Sequence, residues 1–316
     1  MTDLLEFGFI LALLSALSWA SVDIIRKYIV ANLNPTSALV GLMLGQVLLL
    51  LPFVLMTEVG AAPSSDHTLV KTLFIGIPDL SKSYLIQSAG SIALNLAANL
   101  LFLRAVAISP LSLTTPYLAL TPVFSALVAF LWLGQIVTGW GIVGILIVCV
   151  GAFFLNPGSK SDGLLAPIKA IASERGSLYM ICVSLCWSIT PILDSKASLQ
   201  TSPLWHTAFL ALGMGVSLAI YLIARGEART LIADLKILPA VGVCASFLLL
   251  AAMTLQLSAY GEGVPIAYVE TIKRAGGVTT AMLAGYLFFG EKDIARRFIG
   301  AAVMVIGVAM VLFSGG

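Results

Sequence analysis

Apolar residues run through this chain in ten stretches of roughly 20 residues, the length an α-helix needs to cross a bilayer, with polar residues gathered between them. They fall at 6–27, 37–56, 86–107, 111–133 and 138–155, then at 177–197, 204–224, 237–258, 264–289 and 296–314. The pattern predicts an all-α polytopic membrane protein of ten transmembrane helices. The first stretch has no basic leader and runs on past Trp19 into Asp23, Arg26 and Lys27, so it reads as a spanning helix rather than a removable signal peptide. The segment 156–176, with Pro157, Gly158 and Pro167, reads as a linker between two five-helix units at 1–155 and 177–316. The longest other connection, 57–85, is mixed, and its stretch 69–78 has a composition suited to the membrane surface.

The two units repeat one another. Trp19 and Pro35 correspond to Trp187 and Pro203 at one offset, 187−19 = 203−35 = 168. Gly134, Gly144 and Gly151 correspond to Gly290, Gly300 and Gly307 at another, 290−134 = 300−144 = 307−151 = 156. Five helices are an odd number, so a second copy must begin on the opposite face of the membrane, which predicts an inverted repeat. In such folds a substrate sits near the midplane, where the halves meet, and access alternates as one set of helices rocks against the other.

Composition strengthens the membrane assignment: 59% of residues are hydrophobic and 10% charged, with a mean hydropathy of +1.05, far from soluble globular averages. A net charge of +2 leaves no basic tract for nucleic acid. Cys149, Cys182, Cys186 and Cys244 lie in apolar segments, where packing is a better account than a disulfide or zinc cluster. His67 and His206 have no metal-ligand company in the sequence, and no cofactor or metal is expected. Connection charges set an orientation. Arg26, Lys27, Arg104, Lys160, Lys169, Arg175, Arg225, Arg229, Lys236, Lys292, Arg296 and Arg297 fall on one side, against Lys71, Lys82 and Lys196 on the other. The bias puts the odd-numbered connections in the cytoplasm and both termini outside, in a multi-pass cell (inner) membrane protein.

An ionisable group inside a span costs about 2.5 to 3.5 kcal/mol on insertion scales and needs a partner or a wet cavity. The outstanding cluster lies in the ninth span, from Tyr268 through Glu270 to Lys273 and Arg274. Glu270 shares a helix face with both cations. One reading is an anion site in which Arg274 offers a bidentate fork and Lys273 a point charge, with Glu270 as counter-ion or proton carrier. The other is a self-neutralising salt bridge. Asp23 and Asp194, at nearly equivalent places in spans one and six, are candidate coupling or gating groups. Trp19 and Trp187, well inside their spans, either line the cavity or pack helices. Asn95 and Asn99, one turn apart, either bind substrate or bond a neighbouring helix. Tyr117, Gln256, Tyr260 and Tyr268 complete the candidate contacts. Pro116, Pro122, Pro191 and Pro265 permit bends. Gly41 and Gly45, and the Gly144/Gly151 and Gly300/Gly307 pairs, suit close helix packing, with dimerisation through spans five and ten as an extra; a monomer or weak homodimer is expected.

Two segments resemble the drug/metabolite transporter superfamily, of the EamA-like kind with ten spans. Ser109-Pro110 through Pro116-Tyr117-Leu118-Ala119-Leu120-Thr121-Pro122-Val123-Phe124 to Leu133-Gly134-Gln135 is similar to the family's fourth-span signature. Ile272-Lys273-Arg274 through Gly285-Tyr286-Leu287-Phe288-Phe289-Gly290-Glu291 is similar to its ninth-span counterpart. The resemblance implies a secondary transporter with a central cavity lined mainly by spans one, three, four, six, eight and nine. Lys273-Arg274 also matches a phosphate-binding pair of the sugar-phosphate and nucleotide-sugar branches, which implies an anionic substrate, although the surrounding residues look more like bacterial EamA proteins. Two departures stand out: Gln135 replaces the glutamate that ends the first copy, and many family members are drawn with cytoplasmic termini. The expected function is movement of a small polar metabolite, anionic in the sharper reading. A lipid flippase or scramblase on the same fold is the alternative. An intramembrane enzyme fits less well, because the chain offers no HExxH motif and no catalytic Ser-His arrangement.

Overall fold

The structure, a computed structural model, describes residues 2–30, 33–56, 80–109, 115–155, 175–238, 240–289 and 294–314. Among them it is all-helical: α1 (Thr2–Val30), α2 (Pro35–Met56), α3 (Lys82–Ile108), a 3-10 turn (Thr115–Leu120), α4 (Thr121–Leu133), α5 (Gly139–Leu155), α6 (Arg175–Ser198), α7 (Pro203–Ala224), α8 (Ala228–Ile237), α9 (Ala240–Gly261), α10 (Ile266–Phe289) and α11 (Ile294–Ser314). Five of these are long and apolar enough to cross a bilayer: 6–25, 82–105, 175–198, 203–224 and 241–261. Shorter apolar helices cover 35–50, 117–133, 139–152 and 299–314. α10 has the length, 24 residues, and carries three charges in its first half. The surface stretch expected at 69–78 and most of the expected linker lie outside the described residues, as do Lys71, Lys160, Lys169, Lys292 and Glu291.

Helix starts explain why two prolines recur at one offset. Pro35 opens α2 and Pro203 opens α7. Proline suits a first helical turn, where its missing N–H has no helical partner to lose. The residue before each supplies the cap: Asn34 Oδ1 accepts from Thr36 N at 2.9 Å, and Ser202 Oγ accepts from Trp205 N at 3.2 Å. The fourth apolar stretch is broken rather than continuous. A 3-10 turn carries Pro116 and Tyr117, and the α-helix starts at Thr121 with Pro122 in its first turn, where the ring removes a donor the helix does not need. α4 ends on Gly134, whose φ of 66° is left-handed and free of Cβ strain only in glycine.

Matched in order, the halves pair as α1/α6, α2/α7, α3/α9, α4/α10 and α5/α11, and several of the main helix contacts recur when they are exchanged. α1 lies against α9 as α6 lies against α3; α1 against α10 as α6 against α4; α2 against α9 as α7 against α3. α2–α7 and α5–α11 map onto themselves. The amphipathic α8 has no counterpart among the described residues: Leu231 is buried, while Ile232 and Ile237 stay exposed beside Arg229 and Lys236.

The α5–α11 seam is the closest approach. A Cβ on Gly144 would stand 2.7 Å from the Gly307 carbonyl oxygen, one on Gly307 2.7 Å from the Gly144 oxygen, and one on Gly151 2.8 Å from the Gly300 oxygen. The heptad-spaced glycines therefore press backbone on backbone within one chain. Gly41 and Gly45 on α2 instead make room for side chains, those of Leu235 and Leu238 and that of Ser246 respectively. Large apolar side chains on the outer faces, such as Leu146, Ile220, Phe247 and Phe313, are exposed, as bilayer-facing residues are.

Candidate functional site

The first half of α10 enters the helix bundle with its charges, and their partners come from both halves. Glu270 is fully buried. Its Oε1 accepts three hydrogen bonds: from Lys273 Nζ at 2.6 Å, from Gln256 Nε2 at 3.1 Å and from the Tyr260 hydroxyl at 3.1 Å. Gln256 Nε2 also donates to the Tyr260 oxygen at 2.7 Å. Gln256 Oε1 accepts from Trp19 Nε1 at 2.9 Å and from Lys273 Nζ at 3.4 Å. One knot thus joins α1, α9 and α10. Ser15 fixes α1 against α9 nearby, donating to the Ala252 carbonyl at 2.7 Å. The second carboxylate oxygen, Glu270 Oε2, is buried without a partner. A buried carboxylate with one fully used oxygen and one idle oxygen has spare acceptor capacity.

Arg274 points the other way around the helix. Its Nη2 donates to Thr121 Oγ1 at 3.2 Å, at the junction where the 3-10 turn becomes α4, and Thr121 Oγ1 in turn donates to Leu118 O at 2.7 Å and lies 3.4 Å from Ser184 Oγ. Arg274 Nε is buried without a partner. The two repeat-related tryptophans receive the two cations. Lys273 Nζ stands 5.7 Å from the Trp19 ring centroid, and the Arg274 guanidinium carbon 5.5 Å from that of Trp187, within cation–π range. Adjacent residues on one helix are therefore clasped by equivalent residues of the two halves. Asp23 is exposed, lies over Gly277, and its charge acts on Arg274.

Glu270, Lys273, Arg274, Trp19, Trp187 and Gln256 thus meet in one place, and Tyr260 belongs with them. Other candidates sit elsewhere. Tyr268 is buried and its hydroxyl takes Thr138 N at 3.2 Å, Thr138 Oγ1 at 3.0 Å and Ser314 Oγ at 3.1 Å, tying the start of α10 to the α5–α11 seam. Gln135 makes a second tie, its Oε1 accepting from Ile266 N at 3.2 Å. Asn95 and Asn99 bond back into their own helix, to Ser91 O at 3.1 Å and Asn95 O at 2.8 Å. Tyr117 is buried among Ala98, Ala105, Met180 and Val183.

Asp194 forms a second buried centre. Its Oδ1 lies 3.2 Å from His206 Nε2, and His206 Nδ1 lies 3.2 Å from the Tyr84 hydroxyl. All three are buried. Sequence reasoning treated His206 as isolated. The legible signal was the short turn between α6 and α7: Asp194 lies four residues before the end of one helix and His206 three residues into the next, so the hairpin brings them to one depth.

The EamA-like transporter family model matches residues 6–156 and again 174–313. A solved crystal structure aligns over 96% of this chain and 97% of its own, with a TM-score of 0.64 at 13% identity, a likeness of fold alone. No curated protein matches the chain. Two matches that together span most of the sequence, on a bundle in which several helix contacts recur in both halves, place this multi-pass membrane protein in the EamA-like transporter family.

Proposed function

We propose that the protein is a secondary active transporter that moves a small polar metabolite bearing an anionic group by alternating access, with Arg274 and Lys273 as the anion contacts. The proposal takes the ten apolar stretches as ten spans in two inverted repeats. The observation that carries it is the clasp of Lys273 and Arg274 by Trp19 and Trp187, because it places two cations where the halves meet and leaves Arg274 Nε buried and unpartnered. Lys273 is neutralised by Glu270 at 2.6 Å. Arg274 keeps an unused donor on a planar fork suited to carboxylate or phosphate. Asp23 offsets its charge in the empty site, and an anionic solute takes over that role. Glu270 holds the knot together and keeps one oxygen for a donor on the solute.

The test is thermal stabilisation of the purified protein by a panel of phosphates, carboxylates, amino acids and cations, repeated in Lys273→Gln and Arg274→Gln. Stabilisation by anions that is lost in both variants supports the reading and names a class for counterflow in vesicles. Stabilisation by neutral or cationic compounds that survives both substitutions reduces the pair to a structural salt bridge.

A further inference from the structure

We infer that Asp194, His206 and Tyr84 form a proton-binding site, separate from the solute contacts and linked to them through α6. The inference rests on the transport reading for its purpose and on its own geometry for its existence. The three side chains come from α6, α7 and α3, and all are withdrawn from solvent. An imidazole between a carboxylate and a phenol has two stable arrangements that differ by one proton. In the neutral ring Nε2–H donates to Asp194 and Nδ1 accepts from the Tyr84 hydroxyl. In the protonated ring both nitrogens donate, so the Tyr84 hydrogen must turn to another acceptor. That acceptor is present. Ser88 Oγ is buried, lacks a hydrogen-bond partner and lies beside the Tyr84 hydroxyl. Trp205 Nε1, equally buried and unpartnered, lies near the same hydroxyl as a donor in reserve. Proton uptake also changes the buried charge, turning a lone Asp194 carboxylate into a neutral ion pair.

Neighbouring charges are few. α3 presents Tyr84, with Lys82 exposed at its start. α6 presents Asp194 itself, with Lys196 over the Trp132 ring at 5.5 Å. α9 presents Tyr260, and α10 presents Lys273 with its partner Glu270; the Asp194 charge acts on both Tyr260 and Lys273. α2 and α4 carry no titratable residue, and the charges of α8 lie at the far end of α7 from His206.

The mechanical link is α6. Trp187, which holds Arg274, and Asp194 are seven residues apart and so share a helix face. Pro191 lies between them and deprives the Trp187 carbonyl of its helical hydrogen bond, leaving a place where the helix bends. A proton on His206 thus alters the hold on Asp194 on one side of that bend, and the Trp187–Arg274 contact lies on the other.

The chain contains two histidines, so ¹⁵N-histidine labelling of the full-length protein in nanodiscs yields two imidazole signal sets, and the set lost in His206→Gln belongs to this site. In a scan from about pH 8 to about pH 5, the span in which an imidazole's charge can change, the set from this site is expected to report gain of a proton. Asp194→Asn should weaken proton binding about tenfold, a displacement of about one pH unit, and Tyr84→Phe should preserve uptake. Trp187→Leu, which releases Arg274 from α6, should change proton binding about threefold. An imidazole held in one protonation state across the range overturns the site. Identical titrations in the parent and Trp187→Leu overturn the link. Neither result depends on a solute, so a barren stabilisation panel counts against the transport reading and leaves this one standing.

Discussion

The seam between α5 and α11 and the knot among α1, α9 and α10 are both places where the two halves touch, and they are built on opposite principles. At the seam, glycines let backbones meet, so a Cβ on Gly144, Gly307 or Gly151 would stand within 2.8 Å of a carbonyl oxygen across it. At the knot the contact is made by long polar side chains, Glu270, Lys273, Gln256, Tyr260 and Trp19, whose hydrogen bonds can be exchanged one for another. Close backbone packing has one geometry and tolerates little displacement. A hydrogen-bonded network has several of similar energy once a solute offers replacement partners. The halves are therefore joined rigidly on one side and negotiably on the other, which is what a hinge requires.

Substitutions can break that contrast. The largest effect is expected from Glu270→Gln, which removes the charge opposite the Lys273 ammonium and leaves only a neutral amide oxygen to accept its hydrogen bonds; breaking one member of a buried pair costs about 3 to 5 kcal/mol. Thermal unfolding should show it, and adding Lys273→Met to the same chain should recover part of the loss. Next is Gly144→Val at the seam, where overpacking costs about 1 to 3 kcal/mol or more and no second-site polar change should restore it. Gln256→Leu follows, at about 1 to 3 kcal/mol, because Trp19 Nε1 is left without its acceptor; a blue shift of tryptophan emission would report the loss. Trp187→Leu should cost less, up to about 2 kcal/mol from the Arg274 contact, and should lower solute affinity more than stability. Gly139→Ala is the baseline, since no atom lies within 4 Å of the added Cβ, and it should fall within about 0.5 kcal/mol of the parent. If Gly144→Val and Gly139→Ala unfold alike, the seam is not the rigid contact described.

The helices were legible because each apolar stretch is long and its boundaries carry local signals, such as Pro35 and Pro203 beside their caps. α8 was not, because a ten-residue amphipathic helix is too short to register as a span and merges with the apolar stretch that follows. The fourth stretch hid its break for a related reason: Pro116 and Pro122 announced a bend, yet only packing determines that a 3-10 turn fills the space before Thr121. In the site, Glu270, Lys273 and Arg274 were legible since charge in an apolar helix is conspicuous. Their partners were legible in type alone. Trp19 and Trp187 were marked by the repeat offset, whereas the assignment of one to Lys273 and the other to Arg274 depends on which way consecutive residues project from α10. Tyr268 and the asparagines show the converse. Polar residues inside apolar stretches looked like solute contacts, and in the structure Tyr268 bonds the chain ends of α5 and α11 while Asn95 and Asn99 donate to carbonyls of their own helix.

The start of α10 is held twice, by Gln135 at its first amide and by the Tyr268 hydroxyl among Thr138 and Ser314. Both ties lie on the same side as the glycine seam, and the charges begin less than one turn beyond the second. A helix fixed at its end and loaded just past the fixing behaves as a lever with a very short input arm: if a solute binds as proposed, a small displacement of Lys273 or Arg274 would be magnified along the remaining length of α10, toward Phe289. The ratio of arms is set by the position of Tyr268, so moving that hydroxyl along the helix would change the stroke without touching the load.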